Sequence, residues 1–327
     1  MQRVILLFVA IAATFLVLTM VPAHATFHHG TNGRIAYSLD KGSGEQIYTI
    51  KHDGTGKRQL THVNGAAVGP DWSPNGRKIV FEHDHPNGQC SVEVMNTDGT
   101  NMRDLTGTRH QCDSSPAFMP GGRRVVFMAA DGDAIMSMNL RGGDRRVIYR
   151  SQLYKKEPQV SPDGRKVLFE AEKDLPDLHK GYDENEKALY SVRMNGTDLK
   201  IVVPFDLDVC ACGGDWAPNG KRIAFNDNAG AADEPQTLPT NLATIRPDGS
   251  GLRFVTHNAY RPYPRIAGNK VYLGSGSYSP DGRWILFKTI RDDKYKLWKI
   301  HPNGTHKHLI ARFKFEFFTR DWGPRPT

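Results

Sequence analysis

The chain has 327 residues, 39% hydrophobic and 24% charged, with a net charge of +8, an ordinary globular composition. Its Lys and Arg residues are scattered along the whole length and read as a solvated basic face. No aromatic–basic array of the RNA-binding kind accompanies them, so nucleic acid is excluded as an expected partner.

The chain opens on a targeting pattern. Arg3 precedes a mainly apolar run from Val4 to Val21, followed by Pro22 and Ala23-His24-Ala25, the small-x-small pattern before a cleavage site. Residues 1–25 are read as a signal peptide and 26–327 as an exported domain, periplasmic or extracellular, with no stable membrane span after cleavage. A retained anchor is the alternative, because the run lies near the lower length limit for a span.

Beyond the leader one pattern recurs. Residues 69–81 read GPDWSPNGRKIVF: a strand carrying an aromatic, a Ser-Pro-Asn-Gly turn, and a second strand of alternating apolar residues. Related stretches are PAFMPGGRRVVF (116–127), PQVSPDGRKVLF (158–169), DWAPNGKRIAF (215–225) and YSPDGRWILF (278–287). The turn prolines Pro74, Pro120, Pro162, Pro218, Pro280 and Pro324 are 42–62 residues apart, the spacing of propeller blades rather than of shorter repeats.

Each unit divides into four strands, a to d. Strand a carries the aromatic (Trp72, Phe118, Trp216, Tyr278, Trp322, with Val160 in its place once). Strand b follows the Pro-x-Gly turn, where Pro presets φ and Gly accepts the left-handed position. Strand c alternates again, as in Ile47-Tyr-Thr-Ile50 and Leu297-Trp-Lys-Ile300, and ends in Asp-Gly or Asn-Gly turns such as Asp98-Gly99 and Asn303-Gly304, the strongest short hairpin signals. Strand d then ends in sequences such as Gln59-Leu-Thr61. The first strand, Gly33–Tyr37, is a strand b without its a; the last, Arg320–Trp322, is a strand a without its b. Joining them completes a sixth blade and leaves no open sheet edge. The fold is predicted to be all-β, a six-bladed β-propeller of four-stranded blades closed by N- and C-terminal strands sharing one blade.

Such a ring has two unlike faces. Both tight turns of each blade lie on one; the b–c loops and d–a crossovers lie on the other. The long segments 170–187, 226–240 and 257–277 all fall on the second face, where binding function concentrates on a rigid scaffold. Within them Asp177, His179, Tyr182, Asp233, Glu234, Tyr260, Arg261, Tyr263 and Arg265 are the candidate binding residues.

Four cysteines in an exported chain point to disulfides. Cys90 precedes strand c and Cys112 follows strand d of one blade, so the hairpin between them brings the two together. Cys210 and Cys212 form either a local bridge or a free pair. Asp71, Asp215 and Asp321 precede the strand-a aromatic, facing the channel, where oxygen ligands could hold a divalent cation such as calcium. The simpler reading has each accept a backbone hydrogen bond. His83 and His85, two apart where strand b enters its loop, point to one side and offer two metal ligands without a third; His301, His306 and His308 flank a turn on the opposite face. No G-x-S-x-G elbow, H-E-x-x-H or phosphate-cradling loop is present. Asn195-Gly-Thr197 and Asn303-Gly-Thr305 match glycosylation sequons, but the repeat itself demands those residues.

The recurring x-W-S-P-[DN]-G-x-x-[IV]-x-F followed by an apolar strand and [DN]-G-[TS] resembles the TolB-type β-propeller repeat. That resemblance implies a six-bladed propeller, in a family whose namesake is an envelope docking scaffold with an additional N-terminal α/β domain. Only residues 26–32 lie between the leader and the first strand here, so the likeness covers the propeller alone. Related propellers include oligogalacturonate lyases, which use a histidine-bound metal. The expected function is non-catalytic binding, through the long-loop face, of an envelope or secreted protein or an anionic cell-wall polymer. The alternative is a metal-assisted polysaccharide lyase or hydrolase working at the channel mouth.

Overall fold

The computed structural model describes residues 30–107, 112–129, 132–172, 187–204, 211–227, 241–257, 272–291 and 294–326. These form six four-stranded antiparallel sheets. The innermost strands are Ala66–Trp72, Ser114–Phe118, Lys155–Val160, Ala211–Trp216, Tyr272–Tyr278 and Phe317–Pro324. Each lies against the next and the sixth against the first, closing a ring. Blades 1 to 5 run in chain order. Blade 6 combines Phe317–Pro324 with Asn32–Asp40, Glu45–Lys51 and Arg58–Gln59, as the two incomplete ends of the sequence require.

The core is made where blades face one another. Phe81, Phe127, Phe169, Phe225 and Phe287 occupy one position of strand b in five blades and Tyr37 takes it in the sixth; all are buried. Each is packed among apolar side chains of its own and the facing sheet, for example Phe81 with Trp72 of its own blade and with Ile47 and Leu60. Burying such a ring contributes roughly 2–3 kcal/mol.

The turn face is held by side chains that repeat with the sequence. In the a–b turn, Ser73 Oγ accepts from the Lys78 amide at 2.8 Å, and Ser161 and Ser279 do the same for Lys166 and Trp284. In the c–d turn, Asp53, Asp98 and Asp248 accept from the amide and hydroxyl of the residue two on, as do Asn195 and Asn303. The Asn-Gly-Thr sequences are therefore built for the turn.

Two features go beyond the sequence pattern. The outer strand is only two residues long in three blades (Arg58–Gln59, Arg103–Asp104, Arg253–Phe254). The threonine after it replaces the missing ladder: Thr61, Thr106 and Thr256 hydroxyls accept from the amides of Ile47, Val92 and Leu242 at 2.8–3.0 Å. In addition, the register between strands a and b slips in every blade, just before the aromatic (Val160 in blade 3) in blades 1 to 5. Gly69, Ser115, Glu157 and Gly213 take φ of 50–62° at these bulges, a conformation costly for Ser and Glu. A bulge frees an amide from its own sheet, and the neighbouring blade uses it: Ser115 donates to Glu82 at 2.9 Å and Gly213 to Glu170 at 3.3 Å.

Cys90 and Cys112 form the expected disulfide, with Cα atoms 4.4 Å apart. Closing a loop of that length stabilises by about 3 kcal/mol in the chain-entropy account. Cys210 lies outside the described residues.

Candidate functional site

All nine candidate binding residues, Asp177, His179, Tyr182, Asp233, Glu234, Tyr260, Arg261, Tyr263 and Arg265, lie outside the described residues. The strands that deliver two of their segments are described. Glu172 pairs with Lys187, and Asp227 with Asn241, so both connections leave and return at the face opposite the tight turns.

Down the channel, Asp71, Asp215 and Asp321 each reach across a blade boundary. Asp71 accepts from the Phe118 amide at 2.7 Å, Asp215 from Tyr278 at 2.7 Å, and Asp321 from Trp72 at 2.8 Å. These distances are short, and they make the aspartates latches between successive inner strands. Each residue keeps some surface towards the channel, but the carboxylates sit deep in the ring. Burial pushes Asp215 up to about 8, helped by the charge of Asp321, and burial pushes Asp321 up to about 6. Groups of three ligand atoms within 4.8 Å of one another occur at two places among the described residues, and neither includes these aspartates.

One of those groups, Glu82 with Cys90 and Cys112, has its sulfurs already joined in the disulfide. The other is His83, His85 and Glu93. Strand c supplies the third residue that sequence spacing lacked: in the b–c register His83 faces Ser91 and Phe81 faces Glu93, which sets His83 and Glu93 on the same side of blade 1. His83 Nδ1 lies 2.7 Å from Glu93 Oε1, and its Nε2 lies 3.0 Å from the Asn64 carbonyl oxygen in the crossover from blade 6. The His85 ring lies 3.9 Å from that of His83, and its Nε2 is 3.0 Å from Ser91 Oγ. His83 and Glu93 are buried and His85 is half-buried, at the loop-face end of the blade.

A groove of about 580 Å³ runs along blade 6 beside the end of blade 5. Its floor and walls include Tyr37, Tyr48 and Phe313, and its cations are Lys41, Lys57, Arg312 and Lys314; no carboxylate among the described residues lines it. Lys57 Nζ sits 4.3 Å above the Phe313 ring and Lys41 Nζ 4.7 Å above Tyr48. Burial and then the charge of Lys41 hold Lys57 below the ordinary lysine range. The groove is invisible in sequence, because ring closure joins residues near 40 to residues near 313.

The family model for the TolB β-propeller domain matches residues 20–200. The chain belongs to the TolB β-propeller family. Over 301 residues it is 24% identical to the Tol-Pal system protein TolB of Bordetella pertussis, covering 89% of this chain and 60% of that one. The crystal structure of TolB from Acinetobacter baumannii superposes with a TM-score of 0.67 at 17% identity, covering 90% of this chain and 67% of that one. A manganese complex of oligogalacturonate lyase superposes with a TM-score of 0.53 at 13% identity, covering 87% and 75%; at these identities the two structures share the fold. The chain spans between roughly a third and three fifths of the length of the curated relatives it matches. No helix among the described residues is long and apolar enough to cross a membrane.

Proposed function

We propose that this TolB-family propeller is exported through its 1–25 leader and acts as a non-catalytic scaffold that binds a protein of the cell envelope. The observation carrying this reading is the groove between blades 5 and 6, which combines apolar walls with four cations and, among the described residues, no acid. Such a surface fits an extended segment in which acidic residues flank an apolar one, since unpaired lysines over aromatic rings gain most from an opposite charge brought in from outside. Membership of a family whose relatives include a Tol-Pal system protein supports an envelope partner. The lyase alternative has fold likeness alone behind it.

The test uses residues 26–327 as bait against envelope extract, with the retained protein identified by mass. Two variants run beside it: Lys57→Glu with Arg312→Glu, and a chain with segments 170–187, 226–240 and 257–277 replaced by short turns. Retention should fall at least tenfold in each, with the melting curve of the charge-reversed variant unchanged. Equal retention by all three chains would refute the site, and no retention by the wild type would refute the scaffold reading.

A further inference from the structure

The histidine–glutamate cluster of blade 1 brings three side chains with metal-binding atoms within 4.8 Å of one another. The Asn64 carbonyl can only accept, so His83 Nε2 carries a hydrogen and Nδ1 is left with its lone pair in the neutral ring. That lone pair faces a buried Glu93 oxygen at 2.7 Å. Two lone pairs so close hold either a proton or a metal ion between them. A shared proton joins His83 to Glu93 alone; the His85 ring, held by Ser91 and 3.9 Å from that of His83, brings a third ligand atom to the same point. A divalent metal accounts for all three side chains at once.

We propose that His83, His85 and Glu93 form a binding site for a divalent transition-metal ion of the zinc class. Two imidazoles and one carboxylate are a common protein ligand set for zinc, leaving a fourth position for water or a partner's ligand. The outer contacts are of the kind that orient metal ligands: the Asn64 carbonyl fixes the His83 tautomer, and Ser91 Oγ holds one nitrogen of His85 and leaves the other available. His83 and Glu93 are buried and His85 reaches the surface, so an ion has an entry path. Metal–ligand bonds of about 2.1 Å would part His83 and Glu93 from 2.7 Å to roughly 3.3 Å, a movement within the reach of side-chain rotation. The site ties the blade 6–1 crossover to blade 1, independently of the groove.

The experiment takes untagged chain stripped with chelator and titrates zinc chloride by calorimetry, with the melting temperature followed in parallel. Expected are one saturable zinc per chain at micromolar affinity or tighter, a raised melting temperature, and an X-ray absorption spectrum carrying the scattering of two imidazoles. His85→Ala, half-exposed and tolerable to the fold, and Glu93→Gln, which keeps a hydrogen-bond partner for His83, should each weaken that site at least tenfold. His301→Ala on the opposite face should leave it unchanged. Absence of a saturable site would overturn the proposal. So would a site that survives in His85→Ala, or one lost in His301→Ala instead.

Discussion

Removal of residues 317–327 is expected to abolish cooperative unfolding altogether. The lost segment is the inner strand of blade 6, and nothing else in the chain can take its place. Its register with the first strand sets Ile35 against Trp322 and Leu39 against Phe317. Phe317 and Trp322 are both buried, in a cluster with Tyr37, Ile50 and Leu297. Without it, Asn32–Asp40 presents an apolar edge of unpaired amides, a template for aggregation. Trp72 also loses the Asp321 carboxylate that accepts from its amide. A graded form of the same experiment is Trp322→Ala, which should cost about 3–5 kcal/mol. Gly323 is equally constrained: a Cβ there would lie 2.3 Å from the Trp72 ring. Denaturant unfolding followed by tryptophan fluorescence reads all three changes. A truncated chain that still melts sharply near the full-length temperature would show that the ring does not depend on this closure.

Replacing Asp215 by Asn should change the pH dependence of stability more than any other conservative substitution in the channel. In the folded ring Asp215 is raised to about 8, first by burial and then by the charge of Asp321, while in the unfolded chain it titrates near 3.9. Between those values the folded state holds one more proton than the unfolded state, so stability falls as pH rises. The contribution is fully present below about pH 4 and is lost as pH passes through about 8. Across that window it amounts to a few kcal/mol at order of magnitude. Asn keeps an oxygen for the Tyr278 amide and carries no charge, so the variant should equal or exceed the wild type at pH 9 and lose most of the slope. A residual slope between about pH 4 and 6 remains with Asp321. Melting curves from pH 4 to 9 decide it; parallel profiles for both chains would mean that Asp215 is ionised at little cost.

The ring was legible in the sequence because its punctuation is local. Each Pro-x-Gly and Asp-Gly or Asn-Gly turn is dictated by backbone conformation at a few residues, and counting those turns gives the blades. Complementary half-blades at the two ends show how the ring closes, and the hairpin between Cys90 and Cys112 shows their pairing. The aspartate latches were legible in kind, since a small acid beside a turn seeks a backbone donor. The amide it accepts from is in another blade, 47 to 249 residues away, and no spacing rule reaches that far. Glu93 was hidden by the alternation that revealed its strand: in Ser91-Val-Glu-Val94 it looks like the solvent side of a sheet, yet it is buried beside His83. The one available signal was a carboxylate inside a strand whose neighbours are otherwise apolar or small. The strand-a bulges left no mark beyond Gly69 and Gly213, because Ser115 and Glu157 adopt the same backbone without being glycine.

The tight turns also govern how the protein ages. Asn-Gly is the dipeptide most prone to deamidation, in which the glycine amide nitrogen attacks the asparagine side chain and closes a five-membered imide. Here the glycine amides of five such pairs are engaged: Gly76, Gly88, Gly196, Gly220 and Gly304 donate to the carbonyls of Ser73, His85, Arg193, Ala217 and His301 at 2.8–3.0 Å. Folding thus withholds the nucleophile at sites where the unfolded chain would decay, and peptide mapping after alkaline storage of native and denatured protein reads the difference. Conversion to aspartate in the c–d turns would be harmless, since Asp53, Asp98 and Asp248 already fill that position. The iso-aspartyl product adds a methylene to the backbone and would not fit. A propeller written in Asn-Gly turns therefore lasts only as long as it stays closed.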